Sequence, residues 1–211
     1  MRVAEIWRFP VKSMAGERLA RADLTGLGVF GDRLVVVRDG RARIVTARTR
    51  PLLLGHRGTL GTSGEPLVDG RPWDSADVAH DIRVAAGPGT HLERADPPDR
   101  FDVLPLLVAT DGALAAFGHD SRRLRPNLVI GDVPGLAERE WPGRRLRVGD
   151  AIVGVAKLRQ RCVMTTYHPE TLEQDVSVLR DIQRQFGGLL ALDCFVERSA
   201  SIAEGDPVVL L

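Results

Sequence analysis

The sequence predicts a mainly β protein with a few helices. Strand-like segments are short and numerous, and turn pairs such as Asp39-Gly40, Asp69-Gly70, Gly149-Asp150 and Gly205-Asp206 separate them. Short strands punctuated in this way build barrels or sandwiches rather than a doubly wound parallel sheet. Helical periodicity, by contrast, is confined to a few segments.

In chain order, VAEIWRF reads as the first strand. RLVVVRD and RARIVTA flank Asp39-Gly40, the strongest hairpin signal present. DIRVAA reads as a further strand. GPGTHLERADPPDRFD, residues 87–102, has little periodicity and predicts a domain junction or a long crossing loop. VLPLLVA, NLVIGD, LRVGDAIVGVAKL, LLALDCFVE and PVVLL complete the strands. Thr110-Asp111 caps a short helix through Phe117, with Gly118 as its stop. A second helix is expected over Val176–Phe186, where Val178, Leu179, Ile182 and Phe186 recur at helical spacing before Gly187-Gly188.

A chain of 211 residues suits one large domain or two small ones. The 44% hydrophobic content and mean hydropathy of -0.07 describe a soluble protein with a real core. A net charge of +1 gives no reason to expect nucleic acid or an acidic membrane surface as a partner. Among 29 basic residues only Lys12 and Lys157 are lysines, so background composition did not place them. MRVAEIWRFP has no apolar region of a secretory signal, and no apolar run approaches the roughly 20 residues of a membrane span. Cys162 and Cys194 are expected as free thiols in a reducing cytoplasm.

No GxGxxG, Walker A loop or GxSxG elbow is present. The five histidines are scattered without zinc-ligand spacing. Four polar clusters remain. In FPVKSMAG, Lys12 and Ser13 offer an ammonium and a hydroxyl suited to a phosphate or other oxyanion, though for the segment taken alone a plain loop is the better account. Asp32-Arg33 precedes an apolar strand, as a hairpin ion pair or a charge at the strand mouth. In LRPNLVIGD, Arg125 and Asn127 stand two apart at a strand start, on one face or as a strand-entry turn. In LRQRCVMTT, Arg161 beside Cys162 favours the thiolate, which serves equally as nucleophile or metal ligand. Gln160, Thr165 and Thr166 make this an unusually polar setting for cysteine, unlike that of Cys194.

Taken together, and in this order, the clusters resemble the MOSC family, named for the C-terminal domain of molybdenum cofactor sulfurases. The resemblance is to two-part members, the amidoxime-reducing components of mitochondria and their bacterial relatives among them. The family's YPVKS-like motif is FPVKS here, its DR is Asp32-Arg33 and its RPN is Arg125-Pro126-Asn127. Its RC…TTVDP…TG motif is Arg161-Cys162 followed by TTYHPETLEQD, and GDPVVLL resembles its closing strand.

The resemblance implies a MOSC β-barrel over residues 96–211, preceded by a small N-terminal β-barrel-like domain over residues 1–95, the two sharing one cleft. It implies a molybdenum–molybdopterin cofactor with Cys162 as protein ligand to the metal, a role that suits a soft thiolate. Lys12, Ser13, Arg33, Thr110, Asp111, Arg125, Asn127, Gln160 and Arg161 would contact the cofactor. The implied activity is reduction of a hydroxylamine, amidoxime or N-oxide by oxygen-atom transfer. Electrons would come from a separate ferredoxin- or flavin-reductase-type protein, since no ferredoxin-like extension follows Leu211. Arg161 or His168 would assist proton delivery, imidazole having an unperturbed pKa of about 6.5. The alternative is a carrier that holds sulfur or the cofactor on Cys162 without turnover. Two departures stand close to Cys162: His168 replaces the family's usual aspartate, and Leu172 its usual glycine.

Overall fold

Alternating apolar residues such as Ala22 and Leu24, or Leu146 and Val148, need one buried face each, and strands supply it with a period of two. The computed structural model describes residues 1–211. The first part of the chain runs β1 (Arg2–Arg8), β2 (Glu17–Leu19), β3 (Arg21–Thr25), β4 (Gly28–Val29), β5 (Val35–Arg38) and β6 (Ile44–Val45). It continues through β7 (Gly58–Leu60), β8 (Pro66–Val68), β9 (Arg71–Pro72), α1 (Ala76–Ala86) and β10 (His91–Arg94). Next come α2 (Pro97–Arg100), β11 (Leu106–Thr110), α3 (Asp111–Phe117), β12 (Leu128–Gly131), β13 (Arg145–Val148) and β14 (Ala151–Gln160). The chain closes with α4 (Ser177–Phe186), β15 (Leu189–Arg198), β16 (Ala200–Ala203) and β17 (Val208–Leu210).

Eight strands form one sheet in the order β17-β13-β14-β15-β11-β12-β1-β2. Only β11 and β12 run parallel. The first strand therefore pairs with a strand more than a hundred residues later, and the two parts of the chain interleave. Main-chain bonds from Val3 N to Asp206 O (2.9 Å) and from Val208 N to Met1 O (2.9 Å) curl the sheet back on itself. A core of 20 buried residues fills it, with Ile6, Leu106, Leu128, Ile130 and Leu146 among the largest. The sheet β16-β3-β4 contributes Leu24, Val29 and Ile202 to the same core.

A second core of 12 buried residues gathers Val35 and Val37 of β5, Val68 of β8, and Val78 and Ile82 of α1. Met164, Tyr167 and Leu172 pack against it from the later part of the chain. A third core joins Phe117 of α3 to Val178, Ile182 and Phe186 of α4.

Both expected helices form. The Thr110 hydroxyl accepts from Ala113 N, and Gly118 ends α3 in the left-handed conformation; α4 ends likewise at Gly187. The Asp39 hairpin also forms, with the Asp39 carboxylate accepting from Arg41 N (2.8 Å) and Arg43 N (3.0 Å).

Two expectations need correction. DIRVAA is not a strand but the C-terminal half of α1. The signal was the Ser75 cap with Val78, Ile82, Ala85 and Ala86 buried on one helical face and Gly87 as the stop. Residues 87–102 are not a loop throughout. His91–Arg94 pairs with β5 and Pro97–Arg100 is a helical turn; His91 and Glu93 are exposed, so the strand shows no apolar alternation. No helix is long and apolar enough to cross a membrane.

Glu138 is buried, with one carboxylate oxygen accepting from Thr110 Oγ1 (3.2 Å) and the other unpartnered. Burial raises its pKa above the ordinary carboxylate value. The folded state thus holds the proton more tightly than the unfolded one, and stability falls as pH rises through that raised pKa. Glu138→Gln removes the titration, so the Tm difference between variant and native chain should move in the variant's favour as pH rises from about 4 through neutrality. A constant Tm difference across that range would contradict this account.

Candidate functional site

The chain leaves β1 at Phe9, and its next turns are fixed by backbone bonds. Arg33 N donates to Phe9 O (2.8 Å) and Lys12 N to Val35 O (2.8 Å). The Ser13 hydroxyl accepts from Ala47 N (3.0 Å), which leaves its own proton to donate elsewhere. Gly16 is required because a Cβ there would lie 2.3 Å from Arg8 O and 2.5 Å from the Phe9 ring.

Asp32 is wholly buried. Its carboxylate accepts from Phe9 N (2.6 Å), from Asn127 Nδ2 (3.2 Å) and from the Arg33 guanidinium. Asn127 in turn accepts from Leu107 N (3.1 Å) and donates to Trp7 O (3.3 Å). The DR and RPN motifs therefore meet in one hydrogen-bonded junction. The Arg125 guanidinium lies 4.3 Å from the centre of the Phe9 ring, and that of Arg33 lies 5.6 Å from it. Such faces attract cations.

Ser13, Arg33 and Arg125 all adopt left-handed φ values, 73°, 51° and 56°. Non-glycine residues rarely occupy this region, and they cluster there at functional sites.

β14 carries Cys162 to its place. Its pairing with β15 breaks register between Val155 and Lys157 and again between Leu158 and Gln160, and such bulges re-aim the side chains beyond them. Cys162 is half-buried at the head of the 3-10 turn Val163–Thr166, its carbonyl accepting from Thr165 N (3.0 Å) and Thr165 Oγ1 (2.9 Å). Arg123 holds that turn from below through the carbonyls of Thr165 (3.2 Å) and Thr166 (2.8 Å).

A cavity of about 80 Å³ opens here, lined by Lys12, Ser13, Arg33, Arg125, Gln160, Arg161 and Cys162 from the four sequence clusters. Thr46, Arg48, Asp102, Leu107, Arg123, Leu124, Arg159 and Met164 complete it. Seven of these side chains are cationic and one, Asp102, is a carboxylate. Burial and the neighbouring Arg33 pull the Arg125 pKa down to about 9 against Asp32 and Asp102. Burial and Arg159 pull Arg161 down to about 10 against Cys162 and Asp193. Arg161 donates to Leu124 O (2.8 Å), but its Nε and Nη1 are buried without a partner. Both shifts reflect cations short of counter-charge, and an anion in the cavity would relieve them.

Lys12 does not face the cavity with a free charge: its Nζ pairs with Asp102 (3.0 Å) and donates to Asp99 O (2.9 Å). Asp102 also pairs with Arg48, and the two cations hold its carboxyl below the ordinary range despite burial. Burial works against the Arg48 charge, but Cys162 and Asp102 outweigh it and raise its pKa. Sequence reasoning missed Arg48, Arg123, Arg159 and Asp102. Three are arginines in an arginine-rich chain, and Asp102 ends the segment read as a loop.

Four expected site residues lie elsewhere. Asn127 is buried in the Asp32 junction, so it does not share a cavity face with Arg125. Thr110 caps α3 and donates to Glu138, while Asp111 accepts from Asp132 N (2.7 Å) and Val133 N (3.0 Å). Neither lines the cavity, because the helix cap uses one side chain and the loop after β12 the other. His168 also lies outside it, and its Nδ1 accepts from Glu170 N (3.2 Å) and Thr171 N (3.2 Å). The imidazole thus stands in for a turn carboxylate, and Leu172 takes a φ of 60° that glycine would adopt without strain.

A β-rich chain with its motifs gathered in one cationic cleft defines a class, and the comparisons agree with it. A model described as the MOSC N-terminal beta barrel domain matches residues 1–83, and one described as the MOSC domain matches residues 112–209. The chain belongs to the MOSC family, among members with the N-terminal barrel domain. It is similar to mitochondrial amidoxime-reducing component 1 of Homo sapiens, 25% identical over 99% of this chain and 82% of that protein. A crystal structure described as a hypothetical protein shares the fold at a TM-score of 0.51 and 13% identity, covering 100% of this chain and 68% of that one. The YUAD protein from Bacillus subtilis gives a TM-score of 0.49 at 12% identity over 99% of this chain and 94% of its own.

Two outcomes test the site. Asp32→Ala leaves Phe9 N, Arg33 and Asn127 without their shared acceptor and should cost about 3–5 kcal/mol in urea denaturation; a loss under about 1 kcal/mol would remove Asp32 from its central role. Inorganic sulfate should raise the Tm by about 2–4 °C relative to chloride at matched ionic strength, the shift of ~1 kcal/mol of ligand binding. Arg161→Leu should abolish that rise; an unchanged response would place the anion elsewhere.

Proposed function

We propose that this chain is a molybdenum-cofactor-dependent oxidoreductase that reduces N-oxygenated compounds of the hydroxylamine, amidoxime or N-oxide type. One observation carries the reading: Cys162 shares a cavity with Ser13, Arg33, Arg125 and the half-buried Arg161, two of whose guanidinium nitrogens are buried without a partner. The residues fit the group. Its phosphate needs cations and hydroxyl donors, which Arg33, Arg125, Arg161 and Ser13 offer, and its metal favours a soft thiolate, which Cys162 offers.

When bound, the cofactor would supply the two-electron change that removes oxygen from nitrogen. The chain's own residues do the rest. Cys162 would hold the metal, and Arg48 beside it orients the thiol while Asp102 holds Arg48 in place. Gln160 and Arg161 flank the thiol and would orient the N–O group. The net reaction consumes two electrons and two protons and releases water. A separate redox protein would deliver the electrons. Proton delivery falls to Arg161 before His168, whose Nδ1 is occupied by the turn.

Protein made in a cofactor-competent host should copurify with molybdenum and a fluorescent pterin. Cys162→Ala should keep pterin yet lose most of the metal. Equal metal in the variant would end the ligand assignment, and no metal or pterin in the native chain, even after reconstitution, would end the cofactor reading. Turnover of hydroxylamine or benzamidoxime with an artificial reductant separates an enzyme from a carrier, which would load cofactor and reduce neither.

A further inference from the structure

A second cavity, of about 180 Å³, adjoins the first and shares Arg123, Arg125 and Met164 with it. Its character is different. Trp7, Phe9, Leu54, Met164 and Tyr167 give it apolar walls. An apolar cavity of about 150 Å³ accepts benzene, so this one has room for a single-ring compound.

Nearly every charge around it is already committed. Glu5 accepts from Trp7 Nε1 (2.7 Å) and lies 3.9 Å from Arg18. Arg122 pairs with Asp120 (2.6 Å) and Glu170 (2.9 Å). Arg123 holds two carbonyls, and Arg125 lies over Phe9. Arg57 is the exception. It lines the cavity from an exposed position, and only its main-chain N donates, to Asp69 Oδ1 (2.8 Å); its guanidinium has no hydrogen bond or ion pair.

We propose that the second cavity is a binding chamber for flat, apolar-bodied small molecules bearing one acidic group, with the ring against Trp7 and Leu54 and the acid at Arg57. A planar body fits walls of aromatic and aliphatic side chains. A carboxylate matches the planar fork of the free guanidinium, where an added cation would meet four arginines against a single carboxylate, Glu5. The shared wall at Arg125 and Met164 would aim the opposite end of the ligand toward Cys162. In this respect alone the inference rests on the reductase reading, and it narrows the substrate class to acid-bearing N-oxygenated compounds.

The test is equilibrium binding of benzamidoxime and 4-carboxybenzamidoxime to the cofactor-loaded full chain, by calorimetry and by tryptophan fluorescence. The acid should bind about three- to fivefold tighter, the size of a partly solvated ion pair. Arg57→Gln should bring the two affinities together. Trp7→Phe should remove most of the fluorescence change while calorimetric heat persists, since Trp7 is the tryptophan that lines the chamber. Equal affinities in the native chain, or a preference that survives Arg57→Gln, would overturn the proposal. Acid preference without turnover would sink the reductase reading and leave the chamber standing; turnover without acid preference would do the reverse.

Discussion

The buried carboxylate of Asp32 is the constraint on which the rest of the molecule depends. A carboxylate taken out of water is costly unless its oxygens are fully used. Here they accept from Phe9 N, Arg33 and Asn127, groups drawn from three segments that are far apart in the chain. Satisfying one side chain thereby fixes the exit of β1, the entry to β5 and the entry to β12. The same fixation sets Arg33 and Arg125 against the Phe9 ring. The position of the cationic wall follows from the junction behind it.

That wall is a concentration of like charge, and the structure offsets it only in part. Aromatic faces take Arg33 and Arg125, Asp102 takes Lys12 and Arg48, and Asp193 takes Arg159 (3.0 Å). Nothing takes the Nε and Nη1 of Arg161. A cavity of this kind is preorganised for an anion, and the Cys162 thiol stands within it. The adjoining chamber has the opposite composition, apolar with one free guanidinium at the rim. Two neighbouring spaces thus divide the chemistry: one suited to holding an anionic group, the other to a ring with an acid.

The segment that departs most from the family pattern keeps its geometry by substitution. In TTYHPETL the His168 Nδ1 receives the turn N–H groups, and Leu172 accepts a φ of 60° while packing against the second core. The main-chain bond from Leu172 N to His168 O (3.0 Å) closes the turn. The replaced residues therefore serve backbone shape, and the cavity residues behind them are retained.

Much of the fold was legible in the residues themselves. Apolar, β-branched runs bounded by turn pairs marked the long strands, and the Thr110 cap with Gly118 marked α3, because these signals act between near neighbours. Strand β10 and helix α1 were missed or misread: an exposed edge strand lacks alternation, and the α1 pattern was cut short at Asp81. The four motifs named Lys12, Ser13, Arg33, Arg125, Gln160, Arg161 and Cys162, all of which line one cavity. Sequence could not tell that Lys12 is neutralised by Asp102, that Asn127 serves the junction, or that Arg48 stands beside Cys162. Those facts depend on contacts between segments tens of residues apart. Residue types fixed which chemistry was present, and only tertiary packing decided which charges were spent on each other and which were left for a ligand.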